Sequence, residues 1–457
     1  KKLNQSFSLS KKKSDGYRNN TDFDVINFFY RNSYTANSAV FNFQTGYNNK
    51  KFGANSFYTA KYPDQYEQTE TFFANGSIKT NGKIQFSTQA YIRTNKDRFE
   101  LFRSNPPSWY KNHNYHFTVT SGAESNVRFN SFLGKTALGI EFRSERIMSN
   151  VLGELLDKPE SIPNVNNTAY TRGHNRNNIG IFAEHLIKQG RFNISTGIFN
   201  NYNDDFGNNL SGGLDISYEF NNSAKWFASV NHSFRMPSYT DLYYVGPTNS
   251  GNINLKPEEA VAYESGLKYN TLAVNSHISF FIRDGSNMID WVKHPDSLKW
   301  ESKNITQIKT LGAEFSVNID FTKVYNRETF FRNLNFSYAY LDMTKKSENY
   351  ISYYLLDYLK NKAVLSIEHI FYKNISASWA CVYQKRMGSY TDAISGKEVD
   401  YKPFITTDLK LTYKLRSLIL YAESSNIFNI EYYDFGNIPS PGRWNKAGLI
   451  FNVHYTK

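Results

Sequence analysis

The chain has 457 residues, 17% of them aromatic, yet its mean hydropathy is −0.58 and its formal charge is +12 at pH 7. No run of about 18 apolar residues occurs, so no helix is expected to cross a membrane; strands remain open to that role, since each needs only about 9–11 residues with one apolar face. The single cysteine, Cys381, excludes an intrachain disulfide and a cysteine-based metal site, and the scattered Lys and Arg carry no RNA-binding signature. That argues against nucleic acid and suits anionic lipid headgroups or an anionic ligand.

The opening stretch KKLNQSFSLSKKKSDGY has no continuous apolar core and does not read as a secretory leader. A mature protein or an internal fragment is expected. Asp15, Asp22 and Asp24, with Asn19 and Asn20, gather the hard oxygens that calcium takes in sets of about six to eight. Their spacing matches no defined calcium loop, so a solvated turn competes with a calcium site. In AVFNFQTGYN, Phe41, Phe43 and Tyr47 share one strand face, and Asn42, Gln44 and Asn48 share the other. A long connection over 50–68 follows, with Tyr58, Tyr62 and Tyr66. TNGK at 80–83 carries an Asn-Gly hairpin signal. The next long connection, 103–114, holds Trp109 and Tyr110.

Further long connections are expected over 148–173, 238–257, 285–300, 344–356, 388–402 and 428–442. Short ones fall near Gly190, at 221–225 and at 372–374. Phe234–Ala260 interrupts two alternating stretches with Pro237, Pro247 and Pro257, which end pairing. Its Tyr239, Tyr243 and Tyr244 offer flat amphipathic surfaces, and Arg235 ends the preceding strand on its polar face. Tyr432 and Tyr433 stand in the last long connection. NLNFSYAY sets Leu334, Phe336, Tyr338 and Tyr340 against Asn333, Asn335 and Ser337. TTDLKLTY sets Leu409, Leu411 and Tyr413 against Asp408, Lys410 and Thr412. AGLIFNVHY sets Leu449, Phe451, Val453 and Tyr455 against Asn452 and His454.

Nearly every strand thus keeps one polar and one apolar face, and short connections alternate with long ones. Both features suit an all-β fold, a transmembrane antiparallel β-barrel with a wet interior, short periplasmic turns and long extracellular loops. About 20 strands are expected, with both termini on the short-turn side. Closure would pair every backbone N–H and C=O, as the bilayer core requires.

FRMPSYTDLYY, with GNINLKPEEAVAYESGLKY, resembles the mid-barrel segment of TonB-dependent outer-membrane receptors. There a strand ending Arg-x-Pro leads into a loop finishing Asn-x-x-Leu-Lys-Pro-Glu. NIFNIEYYDFGNIPSPGRW resembles the same family's penultimate-strand exit and Pro-Gly-Arg approach to the last strand, and LIFNVHY its terminal strand. The likeness runs over essentially the whole chain. It implies an integral protein of the bacterial outer membrane, energised through a plug by the TonB complex. Such receptors resemble barrels of about 22 strands around a plugged lumen. Residues 1–457 are therefore expected to be a barrel domain corresponding to strands 3 to 22, a fragment lacking the plug and first hairpin.

The resemblance also implies a scarce small-molecule ligand. Ser238–Asn254 contains no histidine, which argues against a haem receptor. The first two long loops resemble those of small cobalamin-receptor-like barrels of the Bacteroidetes, so cobalamin or another corrinoid is favoured and a ferric siderophore is the alternative. Tyr58, Tyr62, Tyr66, Trp109, Tyr110, Arg235, Tyr239, Tyr243, Tyr244, Tyr432 and Tyr433 are the candidate ligand contacts. Each could instead pack on its neighbours or mark the headgroup girdle. A solvated Asx-rich turn is favoured at Asp15, Asp22 and Asp24, with calcium as the alternative there; no cofactor is expected to be covalently bound, and outer-membrane lipid and a surface lipoprotein are the further partners. No Ser or Asp is placed by sequence near His113, His116, His185 or His232, so no hydrolase triad is read. A passive porin is the alternative of another class.

Overall fold

The computed structural model describes residues 2–57, 61–246, 249–294, 296–297, 299–346, 351–352, 358–392, 395–436 and 438–453. Among these the main sheet holds 23 strands. Three of them, Glu154–Ser161, Asn249–Ser250 and Ile351–Ser352, lie within long connections. The other twenty run up and down in chain order, each antiparallel to the next, from Lys2–Ser14 to Trp444–Phe451.

The alternation in the sequence becomes the two faces of this wall. In strand Ala39–Gly53 the exposed Phe41 and Phe43 point outward. Asn42 and Asn48 point inward, where Asn42 donates to Ser77 and Asn48 to Asn27. Ile92, Leu138, Ile140, Phe142, Ile181 and Leu210 are all exposed on the outer face. Water would penalise so broad an apolar surface, whereas lipid hydrocarbon accommodates it. The buried apolar cluster among the described residues is correspondingly small: Tyr115, Ile162 and Tyr170.

A repeated cross-strand pairing lines the inner face. Gly46 stands opposite Phe73, Gly122 opposite Tyr91, and Gly139 opposite Phe182. Gly266 faces Phe227, Gly312 faces Phe281, and Gly448 faces Tyr421. A Cβ added at any of these glycines would come closer than 3.0 Å to its partner ring. The ring therefore lies across the neighbouring strand rather than standing up into the bore. Pairs of this kind offset the weakness of glycine in a strand.

Short connections close by local chemistry. Gly82, at φ +126°, turns the chain between Tyr66–Thr80 and Ile84–Glu100. Asp320 caps the single turn Phe321–Tyr325 by accepting from the amides of Thr322 and Lys323, and Asn326 ends it in the left-handed region. This matches the preference for Asp at helix starts and Asn at helix ends.

Three features depart from the expected connections. The long-loop side carries one connection of only three residues, between Phe192–Asn203 and Gly207–Glu219. Asn203 makes it tight by accepting from the amides of Asp205 and Phe206. Residues 285–300 are mostly strand, because Val274–Lys293 and Trp300–Asp320 stay paired through a register shift near Met288. Asp24, placed with the first loop by sequence, lies inside strand Phe23–Thr35.

The edges behave as the strand count implies. The first strand pairs with Phe23–Thr35 alone and the last with Leu418–Ser425 alone among the described residues. Their loops nonetheless meet, since the Tyr17 hydroxyl donates to Pro439 O at 2.7 Å. That contact, 422 residues apart in sequence, brings together the loops beside the two edge strands.

Candidate ligand-binding mouth

The long connections lie at one end of the wall, and their described residues form three sectors. In the first sector Arg103 holds the Asp22 carboxylate through two bonds, of 2.6 and 3.0 Å, and also reaches Asn20. Its guanidinium lies 4.4 Å from the centroid of the Tyr66 ring. Arg103 lowers the Asp22 pKa chiefly through that hydrogen bond. Asp64 accepts from the Ser104 amide, which ties the connection 54–65 to the connection 101–113. An aromatic nest fills the space above. Tyr62, Phe102, Trp109 and Tyr110 meet edge to face or tilted, with Phe102 in contact with the other three. The Tyr110 hydroxyl accepts from the Leu101 amide and bonds His113 Nδ1. Trp109 remains 57% exposed.

The second sector is the connection 236–257, whose described residues fold against the inner wall. Ser238 and Asp241 cap the short helix Tyr239–Tyr243 reciprocally, and Leu242 and Pro237 are buried. Arg176, an inner-face residue of strand Ala169–Gln189, clamps the helix. Its Nε donates to Glu145 at 2.6 Å, its Nη1 donates to Pro237 O at 2.9 Å, and its guanidinium lies 4.6 Å from the Tyr239 ring centroid. Tyr239 donates onward to Glu145 O. His174 packs beside both Tyr239 and Tyr243. Its Nδ1 meets the Tyr243 hydroxyl and its Nε2 meets Asp205 at 2.9 Å. Burial raises the pKa of both tyrosines, that of Tyr243 to about 12 with help from Glu154 and Asp205.

The end of the same connection is tied as firmly. Asn304 accepts from the Lys256 amide and donates to Lys256 O and Asn287 O. Leu255 is buried. Glu258 then accepts from Arg235 Nε at 2.5 Å and from the Ile289 amide at 2.7 Å. These contacts give the Asn-x-x-Leu-Lys-Pro-Glu stretch a physical reason. Leu fills a pocket, the Lys backbone docks on Asn304, and Glu joins two strands. Tyr244 packs on Trp291.

The third sector joins the last connections. Tyr432 packs on Phe404, and Tyr433 stacks on Tyr390, which also touches Tyr401. Tyr433 donates to Glu431, a bond that with burial raises its pKa to about 12. Arg386 faces Asp434 at 3.4 Å.

The predicted residues therefore fall into three groups rather than one pocket: Tyr62, Tyr66, Trp109 and Tyr110; Arg235, Tyr239, Tyr243 and Tyr244; Tyr432 and Tyr433. Tyr58 lies outside the described residues. The three aspartates are not brought together. Asp22 is held by Arg103, Asp24 pairs with Lys11 across the first two strands at 3.7 Å, and Asp15 is exposed. Among the described residues no three His, Cys, Asp or Glu side chains are placed to share a metal. Sequence reading missed Arg103, Glu145, His174, Arg176 and Asn304. Glu145, His174 and Arg176 were findable as ionisable inner-face positions near strand ends; Arg103 and Asn304 carried no such signal.

Comparison with known proteins adds three findings. A family model described as "TonB dependent receptor-like, beta-barrel" matches residues 6–427. A vitamin B12 transporter, BtuB of Photobacterium profundum, is 22% identical over 424 residues, which cover 84% of this chain and 65% of the relative. The chain thus spans a little under two thirds of that relative's length. Solved structures share the fold. The unliganded ferric citrate transporter FecA superposes with a TM-score of 0.76 at 13% identity, covering 98% of this chain and 73% of its own. The copper transporter OprC gives 0.75 at 13%, with 98% and 76% covered. The ferric-catecholate import receptor Fiu of E. coli gives 0.73 at 14%, with 98% and 77% covered.

Proposed function

The chain belongs to the TonB-dependent receptor-like β-barrel family, outer-membrane transporters and receptors rather than enzymes, and from that premise we propose that it is the wall and loop ring of a receptor for a scarce small molecule. A corrinoid is the ligand we favour. The observation that carries this choice is the likeness to a vitamin B12 transporter along 424 residues. The ring's chemistry is compatible with it. The exposed indole of Trp109 and the tyrosines of all three sectors offer apolar, planar contact. Arg235 and Arg103 offer charge-assisted donors to phosphate or carboxylate groups.

In this reading ligand settles on the ring and on a plug held within the wall, and a TonB-type complex then draws the plug aside. The residues of this chain select and position. The loop 236–257, clamped by Arg176, is the part of the ring that reaches the inner face. It is therefore placed to report ligand contact to whatever fills the lumen.

Calorimetric titration of cyanocobalamin into the detergent-solubilised protein, with and without calcium, tests the reading. Saturable binding supports it, and a calcium requirement would direct attention to exposed Asp15. No heat with cyanocobalamin but heat with a ferric siderophore would replace the ligand and keep the receptor. A large, permanently open conductance in planar bilayers would instead favour a passive channel.

A further inference from the structure

Inward-facing cations differ round the wall in what holds them. Several are bound by carboxylates. Arg143 and Arg176 both meet Glu145, at 3.0 and 2.6 Å, Arg235 meets Glu258, and Lys446 meets Glu423 at 3.0 Å. Lys268 and Lys410 lie over the rings of Phe227 and Tyr421 instead, 4.7 and 4.8 Å from the centroids. The first five strands are different. By their pairing registers Lys2, Lys12, Arg31, Lys50, Lys79 and Arg93 all face inward. All six are exposed, and none has an ion-pair partner among the described residues. The acids on the same face, Glu67 and Asp97, stand together at the long-loop end.

The registers also fix their heights. Lys12 and Lys50 share the inner row Lys12, Val25, Lys50, Thr69, Asp97, near the mouth. Two inner rows further down, Arg93 stands in line with Gly46 and Phe73. Arg31 follows in the next, with Gln44 and Asn75. Lys2 and Lys79 share a row two below that, beside the turn at Asn81 and Gly82. The strip therefore runs from the long-loop end of the bore to the short-turn end. Strands about 4.8 Å apart and inner rows about 7 Å apart put successive cations roughly 16–17 Å from each other along the wall. A group midway between two lies within about 9 Å of both, inside the Debye length of about 10 Å at about 0.1 M salt. A bore lined on one side by one sign of charge concentrates counter-ions there. The upper end opens under the mouth's first sector, since Gly53, at the end of Lys50's strand, pairs with Tyr66.

We propose that this strip is an anion track. It receives phosphate or carboxylate groups of a passing ligand at Lys12 and Lys50 and hands them past Arg93 and Arg31 to Lys2 and Lys79. The direction of travel rests on the receptor reading above. Separated, solvated cations suit transit rather than retention. Each contact is a charge-assisted hydrogen bond weakened by exposure, so a group held at one cation leaves readily for the next. The carboxylate-bound cations elsewhere brace the wall and its loops, whereas these six have no such work among the described residues.

The test uses the full chain in a neutral detergent, with the trianionic dye pyranine as probe and fluorescence anisotropy as readout. Three double variants remove equal charge: Lys50→Gln with Arg93→Gln from the upper track, Arg31→Gln with Lys79→Gln from the lower, and Lys268→Gln with Lys410→Gln from the ring-covered lysines. Each track variant is expected to weaken dye binding by about threefold or more, the scale of exposed charge contacts, and the third by less than about twofold. Equal weakening by all three would overturn the track in favour of a diffusely basic bore. Weakening by one track variant alone would overturn transit in favour of a single site. Ionic strength gives a check that needs no substitution. As the Debye length falls from about 10 Å to about 3 Å the unsubstituted chain should release the dye, and retention would overturn the proposal. Heat-modifiable gel migration reports folding in each variant. Cyanocobalamin is titrated into the unsubstituted chain in parallel. Saturable corrinoid binding with no difference among the dye variants overturns the track alone. Discrimination by the dye without corrinoid binding supports the track and overturns the corrinoid.

Discussion

The connections 150–168 and 236–257 are of similar length and both use strands Gly134–Ser149 and Ala169–Gln189, yet they fold to opposite faces. The loop 236–257 docks on Glu145, His174 and Arg176, which point inward, through ion pairs and hydrogen bonds. The loop 150–168 docks outward: Ile162 packs with Tyr115 and Tyr170, and Phe117, Met148 and Val165 close around them. Glu160 adds an ion pair with outward-facing Arg146 at 3.2 Å. Strand Gly134–Ser149 supplies both docks because successive residues alternate in direction, Glu145 inward and Arg146 and Met148 outward. The polar face holds a loop by charge and the apolar face holds one by burial. Selectivity at the mouth and anchorage at the wall can therefore be altered separately.

Arg176→Ala should break this contrast most strongly. It removes the partly buried ion pair with Glu145, the bond to Pro237 O and the contact with Tyr239. Losing the three together costs about 3 kcal/mol, so amide exchange over 238–246 should accelerate by about two orders of magnitude. Exchange over 150–168 should stay as it was. Asn304→Ala removes three hydrogen bonds to Lys256 and Asn287. A loss of about 2 kcal/mol in local stability is expected, seen as faster exchange of the Lys256 amide. Ile162→Ser addresses the other loop. Exposing a buried isoleucine side chain costs roughly 1.5–2 kcal/mol, so trypsin should cut sooner after Lys158 while the inner loop keeps its protection.

The smallest effect is expected at Asp22. Its carboxyl is held below the ordinary range by the Arg103 hydrogen bond. The pair's contribution is therefore present above the ordinary carboxyl pKa of about 4 and lost as the pH falls through the lowered value. Both side chains are about one-third exposed, so solvent screening limits the gain to about 0.5 kcal/mol. Asp22→Asn should remove the acid-side change in Trp109 fluorescence and alter little at neutral pH.

The wall was legible in the sequence because its solvent imposes a period of two on almost every strand. Phe41 and Phe43, Leu334 through Tyr340, and Leu409 through Tyr413 all alternate as their faces require. The mouth was less legible. Tyrosines announce themselves, but their partners come from other strands. Nothing near Tyr239 in sequence names Arg176, and nothing near Leu255 names Asn304. The direction in which a loop folds is set by register, which fixes whether Glu145 or Met148 meets it. Composition carries no register, and the alternation gives faces without saying which distant strand lies beside them.

One titration tests the account at its centre. Cyanocobalamin is titrated into the detergent-solubilised protein as the unsubstituted chain, as Arg176→Ala and as Ile162→Ser. The account predicts saturable binding that weakens about tenfold or more (roughly 1.4 kcal/mol) when the inward loop is released, and changes less than about twofold when the outward loop is. Equal weakening by both substitutions, or none by Arg176→Ala, would contradict the assignment of ligand contact to the inward-folded loop.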